Sequence, residues 1–332
     1  MIFDVAMADV VVTNKVPLTA PSIQASPQLQ LICVAATGTN NIDLAAASAA
    51  GVVVSNATDY ATASVVEHVF AMLLTLSRRL DGYRRRVHAG DWTNSPHFCL
   101  FDETIDELAG KRLGIIGYGV LGRAVANLAR AFPLQVDIAQ RVHDTPLPDR
   151  VPLPQLLENC DVISLHCPLT PETRDMFDRE ALRAMKPGAV LINTARGGIV
   201  NEDDLYEAIK SGKVARAALD VFETEPPGVT PLIEMEEVIC TPHLGASTRE
   251  AQTNVAVAVV KQIVEFLKTG TVVNAVNVPS VTGELLARLR PFLELGDRIG
   301  CLLPQLLQGA LKEVLIEYTG DFQGLDLSPV TT

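Results

Sequence analysis

A glycine-rich turn at residues 117–122, with the sequence GYGVLG, constrains the fold of this chain more than any other feature. It directly follows the apolar segment 113–116 and precedes a segment whose apolar residues have helical spacing. A strand that enters a G-x-G-x-x-G turn and then a helix is typical of dinucleotide-binding α/β units. The first glycine allows the tight turn, the second lets the backbone approach a pyrophosphate, and the third lets the helix pack close to the strand. The turn therefore predicts a dinucleotide site at the N-terminus of a helix.

Apolar, strand-like segments alternate with helical segments along most of the chain. Strands are predicted near residues 8–12, 31–34, 52–54, 113–116, 135–138, 161–165, 189–195, 217–221 and 238–241. Helices are predicted over residues 62–86, 179–185, 202–210 and 247–268. Apolar strands that alternate with helices form a parallel sheet covered on both faces, so the expected class is α/β with a doubly wound parallel sheet. Ligands of such sheets bind beyond the carboxyl ends of the strands.

Composition and charge restrict the partners of the chain. A hydrophobic content of 48% over 332 residues indicates a globular protein that is long enough for two cores. The net charge of −12 argues against nucleic acid and anionic membranes as partners. The longest apolar runs fall short of a membrane span, and the first residues lack the basic region of a signal peptide. We therefore expect a cytoplasmic protein with a small-molecule partner.

The cysteines of the chain are scattered and include no C-x-x-C pair. They stand at Cys33, Cys99, Cys160, Cys167, Cys240 and Cys301. This spacing favours reduced thiols in packed strands over a disulfide framework or a zinc site, and no metal is expected.

Three chemically useful side chains follow predicted strands beyond the glycine turn. Arg196 ends an apolar segment, Glu225 lies in DVFETEPP at 220–227, and His243 lies in TPHLG at 241–245. A guanidinium binds a carboxylate through two hydrogen bonds, and an imidazole exchanges a proton with a hydroxyl or carbonyl oxygen. A carboxylate beside that imidazole favours its protonated form. Together they predict hydride transfer between a nicotinamide and a 2-hydroxy or 2-oxo acid.

Five motifs carry a family resemblance. They are GYGVLG at 117–122, HCPLTPET at 166–173, NTARGG at 193–198, LDVFETEP at 219–226 and TPHLG at 241–245. Through them the chain resembles the D-isomer-specific 2-hydroxyacid dehydrogenase family over about residues 8–278. The resemblance implies a homodimer in which a Rossmann domain is inserted into a smaller flavodoxin-like substrate domain. On this basis residues 1–95 and 250–278 form the substrate domain, 96–249 the NAD(P)-binding domain, and 279–332 a partial regulatory-type α+β segment.

The resemblance also implies roles for individual residues. Arg196 would bind the substrate carboxylate, Glu225 would hold the histidine, and His243 would be the general acid and base. Thr37 and Gly38 would join Arg196 and His243 in binding substrate. The residues expected to contact the cofactor are Gly117, Gly119, Val120, Leu121, Gly122, Gln140, Arg141, Cys167, Pro168, Thr173, Thr194, Ala195, Asp220, His243 and Gly245. Asp220 would hold the nicotinamide carboxamide.

One position leaves the choice of cofactor open. NAD enzymes of this fold grip the ribose 2′-hydroxyl with an acidic residue about 20 residues after the glycines. Here that place holds Gln140 and Arg141, and Asp137 is expected to point to the other face of its strand. Gln140 can bond a ribose without repelling a 2′-phosphate, and Arg141 can attract one. NAD is the first expectation, with NADP as the alternative.

The substrate is also open, because two subfamilies meet in this chain. The segments 34–43 and 95–99 resemble glycerate dehydrogenase, also called hydroxypyruvate reductase. The segment 245–252 and the chain after about residue 270 resemble D-3-phosphoglycerate dehydrogenase. A phosphorylated acid calls for an arginine cluster, whereas the corresponding loop reads Thr13-Asn14-Lys15. D-glycerate with hydroxypyruvate, or glyoxylate, is therefore the first expectation and 3-phosphoglycerate the alternative.

Two further points stay open at the level of sequence. Relatives carry one more strand-helix-strand unit before residue 9, so the substrate domain is expected to lack its usual N-terminal unit. A rival of another class is a dimeric scaffold that senses NAD on the same fold. The acid/base pair argues for the enzyme, since a sensor needs neither group.

Overall fold

The computed structural model describes residues 7–141 and 147–278, together with isolated positions between 289 and 305. Its first elements are β1 Val10–Thr13, α1 Ala20–Gln24, β2 Leu31–Val34, α2 Leu44–Ala49, β3 Val53–Asn56, α3 Thr62–Arg78 and α4 Leu80–Ala89. They are followed by β4 Arg112–Ile116, α5 Val120–Ala131, β5 Gln135–Ile138, α6 Leu153–Asn159, β6 Val162–Leu165 and α7 Arg179–Ala184. The last are β7 Ala189–Asn193, α8 Glu202–Lys210, β8 Val214–Leu219, α9 Pro231–Glu234, β9 Val238–Cys240 and α10 Arg249–Thr269.

These elements fall into two compact units. The first comprises residues 1–60 and 253–332, and the second comprises residues 61–252. The chain thus enters the second unit at residue 61, whereas the sequence placed that boundary at 95. The reason is α3, which packs on α5 and β8 of the second unit. Phe70 of α3, for example, stacks on Phe132 with ring centroids 5.1 Å apart. The substrate-binding and cofactor-binding roles of the units stay predictions.

The first unit contains a three-stranded parallel sheet in the order β1-β2-β3. Its central strand β2 is buried on both faces, as its uninterrupted apolar sequence requires. Ile32 and Val34 face one cluster of apolar side chains, while Leu31 and Cys33 face another that includes Val255 of α10. The segment after α10 also bonds β3, because the Asn277 side chain accepts a hydrogen bond from the Val54 N–H at 2.8 Å.

The second unit contains a six-stranded parallel sheet in the order β5-β4-β6-β7-β8-β9. The strands continue outward from β4 in both directions, so the direction of the connections reverses between β4 and β6. Such a switch point opens a crevice beyond the carboxyl ends of the two strands. The glycine turn at 117–122 follows β4 and therefore lies beside this crevice. The expected α/β class with a doubly wound parallel sheet is confirmed.

The helix predicted over 62–86 is wrong in one respect, because it is two helices. Arg79 adopts a left-handed conformation with φ of 52°, which ends α3 and starts α4. Its guanidinium lies 3.2 Å from the carboxylate of Glu103. The basic run 84–86 lies on α4, which has no buried residue and carries ion pairs such as that between Arg86 and Asp91.

The predictions on the cysteines and on the C-terminal segment 279–332 concern residues that the structure describes only in part. The described cysteines are free thiols, and Cys33 and Cys160 are buried. Burial raises the pKa of Cys160 to about 12, so this thiol stays protonated at neutral pH. Cys301 and most of the predicted C-terminal segment 279–332 lie outside the described residues. In the described part of the chain, no helix combines the length and apolar character needed to cross a membrane.

Candidate active site

The glycine turn lies in direct backbone contact with the loop that follows β6. A Cβ atom added at Gly117 would lie 2.5 Å from the backbone nitrogen of Cys167, and φ at Gly117 is 93°. A Cβ at Gly122 would lie 2.0 Å from the carbonyl oxygen of Gly117, so this glycine lets α5 pack against the turn. The first and third glycines therefore have the steric roles that the sequence assigned to them.

The second glycine faces open space. Gly119 is the N-cap of α5, and a Cβ added there would have no heavy atom within 4 Å. Val120 in the next position is 54% exposed. The N–H groups of the first helical turn have no partner inside the helix and carry a partial positive charge. This open, donor-lined turn fits a dinucleotide pyrophosphate.

The loop that carries Arg196 is fixed by Asn193, the last residue of β7. The buried Asn193 amide donates to the carbonyl of Arg196 at 2.9 Å and accepts from the N–H of Ala195 at 3.1 Å. A Cβ added at Gly197 would lie only 1.8 Å from the carbonyl oxygen of Phe222. The Arg196 loop and the loop after β8 are therefore in backbone contact.

Thr194 contributes an unsatisfied donor to this edge of the sheet. Its hydroxyl oxygen is buried and has no hydrogen-bond partner among the described residues. Because buried polar atoms almost always have a partner, the hydroxyl fits a bond to a bound group. Thr173 behaves differently, since its hydroxyl already donates to the carbonyl of Pro168 at 2.7 Å. Thr173 thus shapes the 168–173 turn in this structure.

His243 and Glu225 meet as the sequence predicted. The distance from Nδ1 of His243 to Oε2 of Glu225 is 2.6 Å, and the second carboxylate oxygen accepts from the Phe222 N–H at 3.2 Å. Both side chains are about one-third exposed. Nε2, on the opposite side of the imidazole, has no hydrogen-bond partner among the described residues. The carboxylate fixes the tautomer of the imidazole, and Nε2 is left as the ring nitrogen that can exchange a proton, as a general acid/base requires.

Asp220 lies beneath the His243 loop with only 2% of its surface exposed. Oδ1 accepts from the hydroxyl of Thr241 and the N–H of Leu244, both at 2.6 Å, and Oδ2 accepts from the N–H of Gly245 at 2.8 Å. Burial alone would raise the pKa of Asp220, but hydrogen bonds from His68, Thr241 and the backbone hold that pKa below its ordinary value. The carboxylate is thus committed to the loop, and its predicted contact with the carboxamide stays a prediction.

Two residues of α3 belong to this network and were missed by the sequence analysis. The Ser64 hydroxyl donates to the carbonyl of Gly245 at 2.6 Å. Nε2 of His68 lies 3.0 Å from the Thr241 hydroxyl and 3.3 Å from Oδ1 of Asp220. The available signal was a serine and a histidine four positions apart, and therefore on one face of a mostly apolar helix.

After β5, the Gln140 side chain bonds its near neighbours in sequence. The Gln140 side chain accepts from the N–H of Leu147 and donates to the carbonyl of Arg141, both at 3.2 Å. Asp137 is turned away from this loop and forms a two-pronged ion pair with Arg112 on β4. No acidic side chain of β5 is therefore available at the expected ribose position.

Thr37 and Gly38 lie in the first unit, in the loop after β2. The Thr37 hydroxyl donates to the carbonyl of Ala57 at 3.1 Å, and its own carbonyl accepts from the Asn56 amide at 2.7 Å. Their contact with a substrate stays a prediction. The described residues include no cluster of three His, Cys, Asp or Glu side chains that would hold a metal ion.

The parallel sheet and the open glycine turn define a dinucleotide-binding α/β protein, and the pair of His243 and Glu225 lies at the carboxyl end of the same sheet. Residues 70–245 match the family model "D-isomer specific 2-hydroxyacid dehydrogenase, NAD binding domain". The chain belongs to the D-isomer specific 2-hydroxyacid dehydrogenase family. The family expected from the five motifs is thereby confirmed.

Curated relatives come from both subfamilies. The chain is 41% identical to the glycerate dehydrogenase of Methylorubrum extorquens over 263 residues, which cover 78% of this chain and 83% of that protein. It is 38% identical to the D-3-phosphoglycerate dehydrogenase of Bacillus subtilis over 309 residues, or 91% of this chain and 58% of that protein. The chain thus spans about three fifths of the length of such phosphoglycerate dehydrogenases.

A solved structure of D-lactate dehydrogenase from Aquifex aeolicus, complexed with NAD and lactic acid, shares the fold. Its TM-score is 0.73 at 33% identity, with 83% of this chain and 89% of that chain covered. An NADPH-dependent glyoxylate/hydroxypyruvate reductase from Sinorhizobium meliloti, complexed with NADP and malonate, has a TM-score of 0.74 at 28% identity. The match covers 82% of this chain and 85% of the reductase chain.

Proposed function

We propose that this protein is an NAD(P)-dependent D-2-hydroxyacid dehydrogenase that transfers hydride reversibly between C2 of a small D-2-hydroxy acid and a nicotinamide. The observation that carries the proposal is the 2.6 Å contact between Nδ1 of His243 and Glu225. It lies at the carboxyl end of the sheet that also bears the glycine turn. A scaffold that only senses the dinucleotide would not need this pair.

The chain's own groups fit the cofactor. Gly119 leaves room for a pyrophosphate at the N-terminus of α5, and the buried Thr194 hydroxyl lacks a partner in the described structure. When bound, the nicotinamide ring supplies hydride to C2 or receives it from there. NAD is the first choice, because the matching family model is that of an NAD binding domain. NADP is the alternative, since Gln140 carries no charge to repel a 2′-phosphate.

His243 and Arg196 divide the remaining work. In oxidation, Nε2 of His243 takes the hydroxyl proton while hydride leaves C2; in reduction, the imidazolium returns that proton to the carbonyl oxygen. Glu225 holds the ring through Nδ1 and so keeps Nε2 turned towards the reacting oxygen. Arg196 binds the substrate carboxylate and draws electron density from the reacting carbon.

The substrate we favour is an unphosphorylated acid, namely D-glycerate with hydroxypyruvate, or glyoxylate. One observation supports it. The loop Thr13-Asn14-Lys15 offers one cation and no guanidinium for a phosphate. 3-Phosphoglycerate is the alternative.

A panel of 2-oxo acids tests this function. Glyoxylate, hydroxypyruvate, 3-phosphohydroxypyruvate and pyruvate would each be reduced with NADH and with NADPH at neutral pH. We expect the highest kcat/KM with hydroxypyruvate or glyoxylate. Preference for the phosphorylated acid would establish the alternative substrate. Tight dinucleotide binding without turnover of any acid would favour the sensing scaffold.

We also propose a cytoplasmic homodimer. Phe98 and Phe101 of the second unit are 92% and 84% exposed, and Trp92 lies nearby in sequence with half of its surface exposed. A monomer seldom displays several aromatic side chains together, because their burial drives association. The free thiols of the described residues suit a reducing compartment. Light scattering of wild type and of the F98S/F101S variant would reveal whether the dimer depends on this surface.

A further inference from the structure

The loop that carries His243 is fixed by side chains of a helix that takes no part in the proposed chemistry. Ser64 and His68 lie one turn apart on α3 and point the same way, because residues four apart share a helix face. The Ser64 hydroxyl bonds the carbonyl of Gly245, and Nε2 of His68 bonds the hydroxyl of Thr241. They hold the loop on both sides of His243.

These bonds converge with those of Asp220. Its buried carboxylate accepts from Thr241, Leu244 and Gly245, and Oδ1 lies 3.3 Å from Nε2 of His68. Because a carboxylate can only accept, Nε2 of His68 is a donor in this arrangement. The requirement at this position is therefore an N–H group that faces Thr241 and Asp220.

The loop requires such restraint because its backbone is unfavourable. His243 has a left-handed conformation with φ of 57°, which residues other than glycine rarely adopt. A conformation of this kind persists only where surrounding contacts determine it. Without them, His243 would relax and its imidazole would leave Glu225.

We propose that Ser64 and His68 are positioning residues, which hold the Thr241–Gly245 loop in the conformation that places His243 for proton transfer. The inference rests on the proposed function for its kinetic consequences, whereas its structural content stands on the hydrogen bonds alone. A displacement of about 1 Å at a reacting group can cost about 100-fold in rate.

Kinetics of four variants in the full-length protein test the proposal. H68L removes the donor at similar size, H68Q restores an N–H donor, and S64A removes the other bond. S77A is the matched control, because Ser77 is a buried serine of the same helix whose hydroxyl bonds only the carbonyl of Leu73 within α3. We expect kcat to fall about 30-fold in H68L and about 10-fold in S64A, with KM and dinucleotide affinity nearly unchanged. H68Q should stay within about 3-fold of wild type, and S77A should match wild type.

Hydrogen exchange measured by mass spectrometry gives a readout that does not depend on activity. Exchange across residues 241–247 should become faster in H68L and S64A but not in S77A or H68Q. We call the hold of Ser64 and His68 on the Thr241–Gly245 loop the clamp. Unchanged exchange in both H68L and S64A would overturn it. So would an equal loss of kcat in H68Q and H68L.

Failure of the proposed function looks different from failure of the clamp. If wild type turns over no 2-oxo acid, the proposed function fails, while the exchange pattern still decides the structural claim. If wild type is active and H68L retains full kcat with normal exchange, the clamp fails and the function stands.

Discussion

Two groups of loops end the same sheet of the second unit, and they are built differently. The loops after β7, β8 and β9 are tied by buried polar groups, foremost the Asp220 carboxylate with its bonds to Thr241, Leu244 and Gly245. The glycine turn after β4 is open, since no atom lies within 4 Å of a Cβ at Gly119, and Gln140 after β5 bonds its near neighbours Arg141 and Leu147 at 3.2 Å.

The difference follows from what each side is proposed to do. Proton transfer depends steeply on distance and angle, so its residues profit from a rigid setting that is complete before substrate arrives. Phosphate binding at a helix N-terminus needs free N–H groups and space, which a filled setting would remove. The comparison can be challenged by variants on each side.

The largest effect is expected for H243A on the tied side. Loss of the acid/base group should lower kcat by about 1000-fold, while dinucleotide affinity stays near the wild-type value. Steady-state kinetics and cofactor fluorescence titration measure the two quantities. H88A, which changes an exposed histidine of α4, is the control. Turnover near the wild-type rate in H243A would remove His243 from the mechanism.

The second effect concerns stability and contrasts one glycine on each side. In G197A the new methyl would lie 1.8 Å from the carbonyl oxygen of Phe222, so we expect a loss of about 3 kcal/mol or more in the free energy of unfolding. In G119A the methyl enters open space at a φ of −77°, so stability should hold while dinucleotide affinity falls. Urea denaturation and fluorescence titration check both. Equal stability loss in the two variants would contradict the comparison.

The third effect is a pH dependence of stability that arises in the loop after β6, which lies between the two groups of loops. His166, in the loop that touches Gly117, has its pKa lowered by burial to about 4 from an ordinary 6.5. The unfolded chain therefore binds a proton that the folded one excludes, and stability is lost as pH falls from 6.5 towards 4. Wild type should lose on the order of 2–3 kcal/mol more than H166Q over this range in urea denaturation. Parallel pH curves for the two proteins would show that His166 does not titrate this way.

The smallest effect is expected at Gln140, which follows β5. Q140E adds a negative charge that repels a 2′-phosphate and accepts from a ribose hydroxyl, so the ratio of kcat/KM for NADH over NADPH should rise about 10-fold. Q155E on α6 introduces the same charge at an exposed position of another element and serves as the control. An unchanged ratio in Q140E would refute a role for this residue in cofactor choice.

Much of the fold was readable from local sequence. The strands at 31–34 and 135–138 and the helix at 202–210 have the predicted bounds. Asn201 before three acidic residues indicates a helix start, and its side chain does cap α8 at the N–H of Asp204. By contrast, the apolar periodicity did not predict the break at Arg79, where φ is 52°.

The candidate site divides in the same way. Arg196, Glu225 and His243 were predicted together because each follows a strand and parallel strands end at one edge, and the structure joins Glu225 to His243. Ser64 and His68 were not found, since nothing in α3 indicates which loop its polar residues meet. The contact of Gln140 with a ribose stays a prediction, and its amide bonds Arg141 and Leu147 in the structure.

The sequence by itself determined the parallel sheet and the glycine turn, because periodicity and backbone preferences act between near neighbours. Only the tertiary structure decided where α3 ends, which unit contains it, and that Asp220, Ser64 and His68 hold the histidine loop. These are contacts between residues up to 181 positions apart, such as that from Ser64 to Gly245, and no local pattern encodes the partner of a buried polar group.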